Sequence, residues 1–118
     1  MMCEIPSNVI LIDNFAQLFH GFSIGSNDLT QLTIAVDRDS SVVAPLYNET
    51  DEAVQELIKL AIAGSHRNKK YIGICGQAPS DFPEFMNFLI HQNIDSISLN
   101  VDAILQLFKE KGRTQKAY

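Results

Sequence analysis

The sequence has no uninterrupted apolar run of the roughly 18 residues that a membrane-spanning helix needs. Its amino terminus, MMCEIPSN, has no basic region followed by an apolar core, so no secretory signal is predicted. Only two cysteines are present, Cys3 and Cys75, which make neither a disulfide framework nor a C-x-x-C metal pair. These absences predict a protein of a reduced, cytoplasmic compartment with no membrane partner.

Basic residues are also few, since nine Lys and Arg stand against 14 Asp and Glu, for a formal net charge of −5. This balance argues against nucleic acid or an anionic membrane surface as a partner. Apolar residues are plentiful, at 46% of the 118 positions, and the length suits one domain. We therefore expect a single domain, residues 1–118, with a hydrophobic core of its own.

Strand-like and helix-like segments alternate along the chain. Four short apolar segments are typical of strands: a strand end at 1–5, then 21–24, 71–75 and 95–99. Apolar residues at helical spacing follow each strand, most clearly in the stripe Val54, Leu57, Ile58, Ala61 and Ile62. The alternation predicts an α/β fold with right-handed crossovers and parallel strands. A closed (β/α)₈ barrel needs roughly 250 residues, so this chain supplies about half of one.

Local signals predict where the helices begin. Residues that suit helix starts precede each apolar stripe: Ser7 or Asn8, Ser26 or Asn27, Thr50 or Asp51, Pro83, and Asn100. The first helix is expected to run on to about residue 19, and 79–82 is expected to form a turn. In the last helix, 101–111, we expect Ile104, Leu105 and Phe108 to be buried because they follow the same helical spacing.

Polar side chains follow the strand ends. Glu4 lies at the end of the first strand, the run 25–28 follows the second, the run 75–77 begins at the end of the third, and Asn100 follows the fourth. The carboxyl ends of parallel strands meet at one rim of a sheet, so these groups should lie together. Glu4 and Asp28 would then offer two carboxylates to one hard cation such as Mg²⁺. The residues alone favour the simpler interpretation, a solvated glutamate at a strand end and an aspartate that caps a helix.

The cysteines and histidines have simpler explanations. A lone cysteine such as Cys75 in an apolar strand is usually a small core residue, although a thiol with a pKa near 8.5 can move a proton reversibly near neutral pH. Cys3 should point away from the face of Glu4 and belong to the core. Three histidines lie at or near predicted helix ends and are expected at the surface, away from the rim: His20, His66 and His91.

Three parts of the sequence together resemble a known family, in that family's order: MMCEIPSN, then GFSIGSNDLTQLT with AVDRDSSVVAPLYNE, then YIGICGQAPSD. The resemblance extends to about Leu107 and is to the C-terminal barrel domain of the phosphoenolpyruvate (PEP)-utilising enzymes. These are PEP synthase, pyruvate phosphate dikinase and enzyme I of the bacterial sugar phosphotransferase system. GICGQAPSD and VDRDSSVVAPL are most similar to the synthase. The resemblance implies the last four β/α units of a TIM barrel, the first of them truncated.

The resemblance also implies roles for particular residues. Glu4 of the EIP motif and Asp28 of the SND motif correspond to the family's Mg²⁺ ligands. Cys75 corresponds to the proton donor to the enolate of pyruvate. The family's contacts to pyruvate or PEP would carry over to Met2, Glu4, Gly25, Ser26, Asn27 and Asp28. Cys3 departs from the branched apolar residue expected beside the glutamate.

The reaction implied for the intact relative converts pyruvate, ATP and water to PEP, AMP and phosphate. The family's ATP-binding and phosphohistidine domains and its substrate arginines precede this segment, so we expect no synthase activity from the chain alone. Three interpretations stay open. The chain is the catalytic rim of a PEP synthase-like phosphotransferase, or an inactive module that self-associates as a homodimer or docks to a full-length relative, or a generic α/β binding module. Open sheet edges favour association.

Overall fold

The computed structural model describes residues 1–114, so positions 115–118 of the predicted domain lie outside the described residues. It shows the predicted α/β fold, with one parallel sheet of four strands in the order β1-β2-β3-β4. The strands are Met2–Cys3 (β1), Gly21–Gly25 (β2), Tyr71–Cys75 (β3) and Ser96–Ile97 (β4). β1 and β4 are the two edges of this sheet and are shorter than predicted.

Seven α-helices accompany the strands within the described residues. They are Pro6–Ile10 (α1), Ile12–Ala16 (α2), Ser26–Ile34 (α3), Glu52–Arg67 (α4), Ala78–Asp81 (α5), Pro83–His91 (α6) and Val101–Thr114 (α7). A 3₁₀ turn, Ala44–Leu46, lies in the long connection between α3 and α4. The predicted first helix is broken in two at Leu11, and the predicted turn at 79–82 is mostly the short helix α5. Within residues 1–114, no helix is long and apolar enough to cross a membrane.

The start of α1 differs from the prediction. The helix begins at Pro6 rather than after Ser7 or Asn8, because proline needs no backbone donor in the first turn. The Asn8 side chain instead accepts hydrogen bonds from the backbone nitrogens of Glu4 and Ile5, both at 3.3 Å. Asn8 therefore holds the end of β1 against the first helical turn, which fixes the backbone around Glu4.

Three other helix starts are confirmed. Asp51 Oδ1 accepts from the backbone nitrogen of Ala53 at 2.9 Å, which caps α4. Asn100 Oδ1 accepts from the backbone nitrogen of Ala103 at 2.8 Å at the start of α7. Pro83 is the first residue of α6. Asp51 and Asn100 therefore each satisfy a backbone N–H in the first turn of their helix.

Helices cover one face of the sheet and form the core there. α4 packs against β2 and β3 and also against the three helices that precede it. The strand residues of this face are at most 4% exposed: Cys3, Phe22, Ile24, Ile72 and Ile74. The predicted stripe of α4 lies against them, and Phe85 and Leu89 of α6 join the same core. Cys3 is a core residue, as predicted, and burial raises the pKa of its thiol to about 11.

The opposite face of the sheet, here called the inner face, carries small or exposed residues: Met2, Gly21, Ser23, Tyr71, Gly73 and Ser96. The strand register places Met2 beside Ser23, Ser23 beside Gly73, and Gly73 beside Ser96. A Cβ at Gly73 would collide with Ser96 Oγ, so glycine is what lets that hydroxyl lie over β3. Met2 is 41% and Tyr71 56% exposed, so the side chains of this face are open where those of the other are buried.

The last helix departs from the prediction in its burial. Ile104, Leu105 and Phe108 are 39%, 50% and 70% exposed, where all three were expected to be buried. Ile104 and Phe108, with neighbours from α6 and α7, line an apolar cavity of about 300 Å³. Helical spacing identifies an apolar side of a helix but not its partner. Among the described residues, no strand lies beyond β4 for this side of α7 to cover.

The three histidines lie at or near helix ends and are exposed, as predicted: His20, His66 and His91. His66 Nε2 is 3.0 Å from Asp95 Oδ2. The same oxygen accepts from the backbone nitrogen of Ile72 at 2.8 Å. That backbone hydrogen bond first, and His66 second, hold the pKa of Asp95 below its usual value. These contacts link the amino ends of β3 and β4, at the end of the sheet opposite the rim.

Candidate functional site at the carboxyl ends of the strands

The strand register brings Glu4, Gly25 and Cys75 to one rim. Gly25 pairs with Cys75, and Cys3 pairs with Ile24, so Glu4 follows its strand at the level of Gly25. A Cβ built on Gly25 would lie 3.0 Å from both Cβ and Oε2 of Glu4. The Glu4 carboxylate therefore lies directly over the end of β2, an approach that a side chain at position 25 would obstruct.

A cavity of about 200 Å³ opens at this rim. It is lined by Met2, Gly25, Ser26, Asn27, Asp28, Arg38, Cys75 and Gly76. Every predicted site residue except Glu4 is in this lining, and Glu4 lies against Gly25 at its edge. Asp28 is in the first turn of α3, as predicted, and its side chain is exposed. The fold thus brings together residues from three separate parts of the sequence.

The Cys75 thiol is partly exposed and points across the sheet toward β2. Its Sγ accepts a hydrogen bond from Ser23 Oγ at 3.7 Å and donates one to the backbone oxygen of Ile24 at 3.5 Å. The sulfur is therefore on the inner face and borders the cavity, whereas the other cysteine, Cys3, is fully buried on the helix-covered face. The two thiols differ in access although their strands lie in one sheet.

The start of α3 differs from the prediction, because its first polar side chain bonds to the neighbouring strand instead of capping the helix. Ser26 is the first residue of α3 and neither Ser26 nor Asn27 caps it. Ser26 is 1% exposed, and its Oγ donates to the backbone oxygen of Cys75 at 3.2 Å. Next in sequence, Gly76 has φ of +130°, and a Cβ there would collide with Ser26 Oγ. Ser26 therefore joins the ends of β2 and β3, and glycine at position 76 makes the contact possible.

Arg38 is a lining residue for which the sequence pattern predicted no role. The Asn27 amide is oriented by its neighbours: its nitrogen donates to Glu49 Oε1 and its oxygen accepts from Arg38 Nη1 at 2.7 Å. The connection that carries Arg38 has no apolar period, so sequence pattern could not place it. The available signal was the motif itself, because VDRDS follows the SND helix directly and contains a basic residue in an acidic chain.

A second cavity of about 320 Å³ adjoins the first and shares Asn27 and Arg38 with it. Glu49 lies in its wall and is only 7% exposed. The Tyr47 hydroxyl donates to Glu49 Oε1 at 3.3 Å and lies 3.1 Å from the backbone oxygen of Asn27. Burial raises the pKa of Glu49, and burial together with the Glu49 charge raises the pKa of Tyr47 to about 12. Tyr47 and Glu49 therefore both hold the Asn27 segment in place.

The donor set at the rim suits one divalent cation with oxygen preference. Within the described residues, no three His, Cys, Asp or Glu side chains are grouped closely enough to hold a metal among themselves. The Glu4 carboxylate lies against Gly25, and Asp28 is in the lining of the cavity. Mg²⁺ commonly binds one or two carboxylates and keeps waters or substrate oxygens in its remaining positions. Two carboxylates beside an open cavity match that habit better than they match a closed all-protein metal site.

Comparison with known proteins shows which family this chain belongs to. The family described as "PEP-utilising enzyme, PEP-binding domain" matches residues 1–115. Phosphoenolpyruvate synthase of Synechocystis sp. is 56% identical over 99% of this chain. The enzymes of that name from Aquifex aeolicus and Escherichia coli are 59% identical over 90% and 48% identical over 98% of it. The chain spans 14%, 12% and 15% of the length of these three relatives. The chain belongs to the PEP-utilising enzymes and matches their PEP-binding domain.

Proposed function

We propose that the chain is the pyruvate- and PEP-binding rim of a PEP synthase-like phosphotransferase. The observation that carries this proposal is the shared cavity, which gathers Met2, Gly25 to Asp28 and Cys75 beside the Glu4 carboxylate. The strands β1 to β4 would be the last four units of a (β/α)₈ barrel, with both sheet edges joined to the missing strands. The reaction of the whole enzyme would form PEP, AMP and phosphate from pyruvate, ATP and water.

The cavity suits a three-carbon acid in size. A water molecule occupies about 30 Å³ in the liquid, so the cavity of about 200 Å³ has room for roughly six or seven groups of that size. Pyruvate has six non-hydrogen atoms. Arg38 is the cation in the lining, and a guanidinium is well matched to a carboxylate or phosphate. The Asn27 amide, fixed by Glu49, would keep Arg38 directed into the cavity.

Glu4 and Asp28 would hold the Mg²⁺, since they are the carboxylates at this rim. A bound Mg²⁺ would stabilise negative charge on the substrate oxygen. Cys75 would move the proton, because its thiol borders the cavity and is partly exposed. In one direction the S–H bond breaks and a C–H bond forms on C3 of the pyruvate enolate. In the other, the thiolate removes a proton from the methyl group.

Calorimetric titration tests the binding part of this proposal. Oxalate, a planar dianion shaped like the enolate, should release or absorb heat on addition to the chain in the presence of Mg²⁺. A Glu4→Ala, Asp28→Ala double variant should lose this signal. A Glu52→Ala, Glu84→Ala variant removes the same charge from exposed positions in α4 and α6 and should keep it. Equal binding by the two double variants would refute the proposed metal ligands.

A second function is favoured by the unburied apolar residues. Ile104, Leu105 and Phe108 of α7 and the side chains of the inner face lack the burial that apolar groups gain in a closed barrel. The alternative is a catalytically inactive module that self-associates as a homodimer or docks to a full-length relative. It requires no metal and no substrate.

Light scattering distinguishes these interpretations. If α7 mediates self-association, the mass of the chain should rise with concentration toward that of a dimer, and Phe108→Glu should return it to that of one chain. Ala63→Glu adds the same charge at an exposed position of α4 and should leave the mass unchanged. A mass of one chain at all concentrations would exclude self-association and leave docking to be tested by capture of a purified relative.

A further inference from the structure

Ser23 lies in the middle of β2 on the inner face, one step below the rim. Its Oγ is 3.7 Å from Cys75 Sγ on the neighbouring strand, with the hydroxyl as donor. Ser23 pairs with Gly73, and Cys75 is two residues further along the same face of β3. Because Gly73 has no side chain, the hydroxyl reaches diagonally to the thiol without obstruction.

The two contacts of the sulfur are chemically different. The Ile24 carbonyl oxygen can only accept a hydrogen bond, so it stabilises the protonated thiol and repels a thiolate. The Ser23 hydroxyl can donate to the sulfur in either state. Of the two partners, Ser23 is therefore the one whose hydrogen bond becomes stronger when the sulfur is charged.

We propose that Ser23 is a positioning residue for Cys75, which holds the sulfur at the rim and stabilises the thiolate left by proton transfer. This inference rests on the proposed role of Cys75. When the S–H bond breaks and the C–H bond forms on C3 of the enolate, the sulfur keeps the electron pair and the negative charge. Ser23 then donates to a charged acceptor instead of a neutral one, and the thiolate later regains a proton from solvent.

Other charged groups lie at the same cavity. Asp28 of α3 and Glu4 beyond β1 carry negative charge there, and Arg38 of the α3–α4 connection carries positive charge. None of these is altered by a substitution at Ser23. A change in thiol reactivity that follows loss of the Ser23 hydroxyl therefore reports that hydroxyl and not the surrounding charges.

The pH profile of Cys75 alkylation tests the proposal on the chain itself, without substrate or metal. Iodoacetamide reacts with thiolates, and mass spectrometry assigns each adduct. In Ser23→Ala the midpoint of the Cys75 profile should rise by about half to one pH unit, and the rate at neutral pH should fall about three- to tenfold. Cys3, at 0% exposure, should stay unlabelled and serves as an internal check on folding.

Two matched controls make the result decisive. Ser96→Ala removes a hydroxyl from the same face of the next strand and should leave the profile of Cys75 unchanged. Ser23→Thr keeps the hydroxyl and Ser23→Val replaces it with a methyl group of similar shape, so only the Val variant should shift the midpoint. This pair decides the question even if Ser23→Ala fails to fold.

Equal midpoints in the Thr and Val variants, or a downward shift in Ser23→Ala, would overturn the role of Ser23. Neither result depends on oxalate binding. A chain that binds no oxalate but shows the Ser23-dependent shift would refute the proposed function and retain the contact. A chain that binds oxalate but shows no shift in Ser23→Ala would support the proposed function and refute the role of Ser23.

Discussion

The two faces of the sheet are built from the same four strands but differ in burial and in the kind of side chain that they carry. On the helix-covered face, Cys3, Ile24 and Ile74 are at most 2% exposed and pack as a continuous apolar row. On the inner face, the adjacent row is Met2, Ser23, Gly73 and Ser96, with two hydroxyls and no branched apolar side chain. Successive strand residues alternate between these rows. The contrast separates the buried core from the face that carries the proposed site, and the following substitutions test that separation.

Ile72→Ala should have the largest effect on stability. Ile72 is fully buried on the helix-covered face, so its truncation leaves a cavity and should lower the free energy of unfolding by about 2–5 kcal/mol. Ser96→Ala on the inner face should change it by no more than about 0.5 kcal/mol. Urea denaturation followed by circular dichroism measures both. Similar losses in the two variants would show that the faces do not differ in this way.

Gly76→Ala should have the next largest effect, and it should reach both stability and binding. The φ of +130° and the collision with Ser26 Oγ predict a loss of about 1–3 kcal/mol. Because Ser26 lines the cavity, oxalate binding in the presence of Mg²⁺ should weaken as well. Ser41→Ala, in the exposed α3–α4 connection, should alter neither property. Unchanged binding in Gly76→Ala would show that the rim tolerates movement of Ser26.

Glu49→Gln should have a small effect that depends on pH. Burial raises the Glu49 pKa, so this group favours folding below its unfolded pKa of about 4.3, and that contribution is lost as pH rises through the raised folded value. Relative to wild type, the melting temperature of the variant should therefore be higher at pH 7 than at pH 4. The exposed Glu52→Gln removes the same charge and should show no such trend. A variant that is relatively less stable at pH 7 would contradict this sign.

Asp95→Asn should have the smallest effect. Asp95 lies at the end of the sheet opposite the rim. The Ile72 backbone hydrogen bond and His66 lower the Asp95 pKa, so its contribution is present above pH 4 and is lost as pH falls through the folded value. Because the side chain is about one-third exposed, we expect less than about 1 kcal/mol at neutral pH. The deficit of the variant in urea denaturation should shrink toward pH 2. Oxalate binding should be unaffected.

The strand order and the grouping at the rim could be predicted because they follow from local patterns and one topological rule. The α4 stripe carries a clear helical period, Asp51 and Asn100 carry clear cap signals, and short apolar runs precede Gly25, Gly76 and Asn100. Parallel pairing then forces the strand ends together. The motif resemblance supplied the roles, which spacing alone left open between a metal site and ordinary helix and strand ends.

The remaining features depend on partners that a sequence pattern does not name. Arg38 and Glu49 lie in a connection without apolar period, and only the folded chain shows that they meet Asn27. The prediction that Phe108 is buried was wrong, because helical spacing indicates the apolar side of a helix but not what covers it. The prediction that Ser26 or Asn27 caps α3 was wrong. The Ser26 hydroxyl donates to the backbone oxygen of Cys75 on the neighbouring strand and does not bond to its own helix.

The pairing of Gly25 with Cys75 also limits how this sequence can diverge. Deleting one residue inside β2 would exchange the faces of Ser23 and Ile24, so a hydroxyl would enter the core and a branched side chain would reach the thiol. The long connection between α3 and α4 has no such constraint outside Arg38, Tyr47 and Glu49. Gaps within strands should therefore abolish the site in a single evolutionary step, whereas loops can lengthen gradually.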